Sequence, residues 1–240
     1  MRIALAQPSA REAYEAGDWS DAQTLAAEAS DAASLTLAAE AALAPLVLGE
    51  MSEAEAREKR AQARAAADLA EAAVALDPDA ARARLALAAA LGYEARHTHP
   101  LRAALMRLPQ RGRSHIERAL ELDPANPWGR ALLGAWHLEI VRRAGERTFG
   151  ADTETGLQHY RAAARVAETP AIPYHFALAL LALDAETHGD EALDHLTTAA
   201  SMETATAFDT ALREQARSLL EITATFRSAG AEEARRRLDE

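Results

Sequence analysis

The chain carries eight histidines and no cysteine. Any metal or proton-transfer chemistry must therefore come from imidazoles and carboxylates. His97 and His99 form a His-x-His, with Glu94 close by. Two imidazoles and a carboxylate suit zinc, but there is no third anchored ligand at metal spacing, so these two histidines are candidates only and no metal is expected. His137 and Glu139 sit two apart on one helix and point in different directions, which rules out an acid–base pair. His137 is expected to be a satisfied packing residue. His159 and His175 lie on consecutive helices and are expected to approach each other. There is no nucleophile elbow, phosphate loop or dinucleotide fingerprint. The sequence thus points away from an enzyme, and no cofactor is implied.

The other residues able to do work are aromatic. Only 5% of the chain is Phe, Trp or Tyr, so a set of them at equivalent positions carries information. Finding such a set requires the elements that hold them. Alanine and leucine dominate, glycine and proline number 11 and 9, and no segment alternates with period two. This is the pattern of an all-α protein. The net charge of -11 repels phosphate backbones, so a nucleic-acid partner is not expected. No apolar run reaches the roughly 18 residues of a membrane span.

"ALDPDA" at Ala75–Ala80 returns as "ELDPAN" at Glu121–Asn126, 46 residues later, and as "AETPAI" around Pro170, a further 46 residues on. From Pro170 the next equivalent turn falls 34 residues on, at Thr204. Ala73 and Ala119 precede their prolines by five residues, and Leu133-Gly134 stands inside the helix after the second turn. In these features the chain resembles the tetratricopeptide superfamily, whose repeat is about 34 residues. The resemblance implies an α-solenoid of about five tetratricopeptide-like helix pairs in a right-handed superhelix, with a C-terminal capping helix. The longer units hold two inserts, Tyr93–Gln110 and Ala144–Thr155. Both fall at the same place in their repeats and are expected to project from one edge. "ALELDPANPWGRALLGAWHLEIV" (Ala119–Val141) is also similar to the repeats of the regulator of microtubule dynamics family. That similarity implies a helical interaction domain without catalytic residues. It does not by itself imply a role at microtubules.

In a tetratricopeptide solenoid the first helix of each pair lines the concave face, and the resemblance places its second, fifth and ninth positions in the groove. Counting from the prolines, the second positions are Arg82, Trp128, Tyr174 and Phe208. The fifth include Leu85, Ala131 and Ala177. An aromatic column over a small apolar floor suits a partner protein's helix or extended segment, or an apolar small molecule. Trp136, eight residues after Trp128, lies about 80° around the helix and is expected to pack between helices.

Residues 10–240 are read as one helical domain behind a flexible stretch, 1–9. Ala4-Leu5-Ala6 has the small-x-small form of an export cleavage site, which favours an exported protein if the true start lies upstream and a cytoplasmic one otherwise. Ser52 and Glu55 are expected to form the capping box of a helix beginning there.

Overall fold

A computed structural model describes residues 9–239; the candidate export site lies outside them. Among the described residues there are helices and no strands, stacked in sequence as an α-solenoid. α1 (Ala10–Ala16) and α2 (Trp19–Glu28) lead into α3 (Ala32–Val47). α4 (Ala56–Leu76) and α5 (Ala81–Arg96) form a long hairpin. After a short α6 (Pro100–Leu105) come α7 (Leu108–Leu122) and α8 (Pro127–Ala144), then α9 (Thr153–Ala164) and α10 (Ala171–Ser201). α11 (Ala207–Thr225) and α12 (Arg227–Asp239) complete the chain.

The packing sorts the helices into two layers. α3, α5, α8 and the first half of α10 touch in turn and form the inner face; α2, α4, α7 and α9 back them. Alanine sets the spacing. The buried face of α4 carries Ala63, Ala66, Ala67, Ala70 and Ala73, at the three-and-four spacing of one helical face. With nothing larger than a methyl on that stripe from Ala63 to Ala73, α3 and α5 can both approach closely. Leu43, Leu46, Leu87, Leu91 and Leu108 fill the space between them. A second core, richer in large residues, joins Tyr160, Phe176, Leu180, Leu196, Leu212 and Leu219 in the C-terminal half.

One local expectation changes. The capping box forms at Ser9 and Glu12, which bond reciprocally at the start of α1. At Ser52 it does not. The chain first turns through Gly49 (φ +71°), α4 starts at Ala56, and the Ser52 carbonyl instead accepts from Lys59 Nζ at 3.0 Å. Gly17, at a φ of +90°, ends α1 in a left-handed cap. α10 bends at Asp184 (φ -160°, ψ 97°), whose carboxylate accepts from the amides of Glu186 and Thr187.

The inner layer curves until its ends meet. Trp19 and Phe208 rings lie edge to face at 6.3 Å. Gln215 Nε2, on α11, donates to the Leu48 carbonyl just past α3 at 2.8 Å. Among the described residues no helix is long and apolar enough to cross a membrane.

An apolar cavity between the chain ends as the candidate functional site

Because the ends meet, the concave face becomes a cavity of about 640 Å³. Arg82, Leu85 and Ala89 of α5 line it, and so do Trp128, Ala131 and Ala135 of α8. Both sets follow the spacing i, i+3, i+7, which keeps them on one face. Phe208 of α11 lines the opposite side with Tyr14 of α1 and Leu238 of α12. The expected residues Arg82, Leu85, Trp128, Ala131 and Phe208 are therefore brought together. Trp128 is 42% exposed and presents its ring to the cavity.

Tyr174 and Ala177 are not there. Both are fully buried, and α10 lines the cavity with Ala171, Ile172, His175, Ala179 and Leu183. The register is displaced by two residues, and the turn explains why. α5 begins three residues after Pro78 and α8 three after Pro124. At the third turn Pro170 is itself the N-cap, and α10 starts at the next residue. Counting from the proline therefore overshoots by two. Tyr174 serves instead as a clasp. Its hydroxyl donates to Gln215 Oε1 at 2.8 Å and accepts from Arg237 Nη1 at 3.1 Å. Arg237 also donates to the Gln215 carbonyl at 3.0 Å, which fastens α12 to the closure.

Glu40, Leu43 and Val47 of α3 complete the wall and were not foreseen. The signal existed: they repeat the three-then-four spacing of 82, 85 and 89. No "DP" turn precedes α3, so nothing announced its register.

The two ends of the cavity are polar and paired. At one, Arg82 makes a two-pronged contact with Glu40. At the other, Glu139 receives Arg142 at 2.9 Å and Arg143 at 2.5 Å, and Asp239 of α12 receives Arg142 at 2.8 Å. Burial pushes the Glu139 carboxyl up, but Arg96, Arg142 and Arg143 outweigh it and hold it ionised below its ordinary range. Arg96 lies over the Tyr93 ring at 4.7 Å. Its Nε, 3.8 Å from Glu139, has no hydrogen-bond partner. His175 is driven down to about 4, first by burial and then by Arg96, so at neutral pH it is an uncharged part of the wall.

Two further histidines, His137 and His159, pack between helices. His137 Nδ1 accepts the Asp152 amide at 3.0 Å and so anchors the second insert to α8. His159 stacks on His137, with centroids 6.3 Å apart, and not on His175 as expected. Trp136 is half buried, donates to the Pro109 carbonyl at 2.8 Å and lies beneath Arg113. It ties the first insert to α8 and is not among the residues that line the cavity. Glu94 is turned towards Arg64, and His99 is exposed at the start of α6. Among the described residues no three His, Asp or Glu side chains converge on a metal position.

A family model described as regulator of microtubule dynamics protein 1-3 matches residues 8–224. No curated protein matches the chain.

Proposed function

The chain belongs to the regulator of microtubule dynamics family, and we propose that it acts by binding rather than by catalysis, holding an apolar guest in the cavity between its ends. The cavity's shape supports this. Along α5 its lining runs from Arg82 to Arg96, fourteen residues or about 21 Å at about 1.5 Å per residue. The lining between its two charged ends is mostly apolar. A small apolar molecule fits, with its body against Leu85, Ala89, Ala131 and Ala135. The paired carboxylates at both ends support a role without acid–base chemistry.

A helix or extended apolar stretch of a partner protein is the second reading. The family's description as a regulator favours it, since regulation of another assembly works through contact. Shared starts of α5, α8 and α11, each three residues beyond its turn residue (Pro78, Pro124 and Thr204), support treating the helix pairs as tetratricopeptide-like.

Organic extraction of the purified protein followed by mass spectrometry tests the first reading. One equivalent of an apolar species is expected from the native chain and none from an Ala135→Trp variant of equal helicity, whose indole fills the cavity. Undiminished guest in that variant would place the ligand elsewhere. An empty extract, with a partner protein recovered by the native chain and lost by Ala135→Trp, would transfer the site to the second reading.

A further inference from the structure

The insert between α5 and α7 forms a basic, apolar projection, and we propose that it seats the protein on a membrane surface rich in anionic headgroups. Leu101 and Leu105 are the most exposed large apolar residues described, at 77% and 85%. They stand four apart on α6 and so share one face. The same helix turns its smaller Ala103 inward, and Met106 and Leu108 anchor the start of α7 to the core. Burying the leucines and exposing the alanine would stabilise the fold more. Their placement is therefore explained by something outside the chain.

Charge indicates what that is. Residues 95–113 contain Arg96, Arg102, Arg107, Arg111 and Arg113 and no carboxylate, within a chain of net charge -11. Arg111 and Arg113 are paired with Glu71 and Glu117, and Arg96 faces the cavity. Arg102 and Arg107 flank the exposed leucines, and no carboxylate among the described residues pairs with them. The second insert reinforces the edge. Its Phe149 is exposed, its Phe149 carbonyl accepts from Arg113 Nη1 at 3.4 Å, and Arg147 and Phe149 are both held at positive φ (66° and 51°).

A lipid surface fits this better than a folded protein. A six-residue helix with two leucines offers far less than the roughly 800 Å² per partner of a stable protein interface. It is also a knob, not a groove. A bilayer needs no complementary pocket: leucines enter the headgroup region while arginines meet phosphates.

Cosedimentation of the full chain with vesicles tests the proposal, using neutral phosphatidylcholine alone and phosphatidylcholine with about one-third phosphatidylglycerol. Binding to the anionic vesicles only, weakened by salt, is expected. Each arginine at such a surface is worth about fivefold, so Arg102→Gln with Arg107→Gln should weaken binding about thirtyfold. Leu101→Ser with Leu105→Ser should weaken it at least tenfold. All four side chains are exposed, and unchanged helicity will show that the variants fold. Equal binding to neutral vesicles, or binding untouched by both double variants, overturns the proposal. Absent vesicle binding, with self-association that the leucine variant abolishes, overturns it too and assigns the knob to a second copy of the chain.

Discussion

Replacing Tyr174 with Phe should open the closure of the solenoid without emptying its cavity. The hydroxyl is buried and makes two hydrogen bonds, to Gln215 and from Arg237. A neutral bond contributes about 1 kcal/mol and one to a charged group about 1.5–3 kcal/mol. Arg237 retains the Gln215 carbonyl and Glu233 as partners, which offsets part of the second. Gln215 Oε1 loses its donor. The expected cost is about 2–3 kcal/mol. For a chain of this size that lowers the melting temperature by about 4–12 °C, measurable by circular dichroism with a urea series alongside. Trp128→Ala is the comparison. With its ring partly exposed, it should cost about 1–2 kcal/mol, against about 3–5 kcal/mol for a fully buried aromatic. It should also weaken uptake of an apolar fluorescent probe that Tyr174→Phe, held well below its melting point, still binds. A Tyr174→Phe protein of native stability that no longer takes up the probe would refute the assignment of Tyr174 to the closure.

Gly134→Ala should destabilise by about 1–3 kcal/mol, because a methyl there would meet the Gly156 carbonyl at 2.9 Å and the Tyr160 ring at 2.8 Å. Gly92→Ala, also inside a helix but with nothing within 4 Å, should stabilise by up to about 1 kcal/mol; urea midpoints compare the two. Glu233 is held at about 2, chiefly by its hydrogen bond with Arg236 and further by Arg237, against an ordinary 4.5. Its folded value is the lower one, so the stability it lends is complete above about pH 4.5 and is lost as pH falls towards 2. Glu233→Gln should flatten the stability profile across that window. His137→Ala removes the acceptor of the Asp152 amide and should raise amide exchange across residues 145–152, while probe uptake stays native.

The helical architecture was legible because the "LDP" turns and the alanine stripes are local signals. Arg82, Leu85, Trp128 and Ala131 could be placed on one face for the same reason: each pair lies within a single helix whose start the turn announces. Tyr174 could not. Its position depends on whether Pro170 sits two residues before the N-cap, as Pro78 and Pro124 do, or is the N-cap itself, as it is. A turn shorter by two residues rotates α10 by about 200°, enough to exchange an inner face for a buried one. Leu238 and Tyr14 were beyond reach for another reason. They meet the cavity only because the two chain ends come together, and no local pattern encodes a contact across almost the whole sequence.

The Gln215–Leu48 bond spans 167 residues. A solenoid with contacts only between neighbours melts piecemeal from its ends, because each unit answers to the next alone. One bond joining the first third of the chain to the last makes those ends depend on each other. Closing it costs about 1 kcal/mol more chain entropy than closing a loop of roughly 40 residues, so it should form late in folding and be the first contact to break. The seam that opens most readily is then also a wall of the cavity. A bound guest would hold it shut, and amide exchange at the seam, rather than at the core helices, would report whether the cavity is occupied.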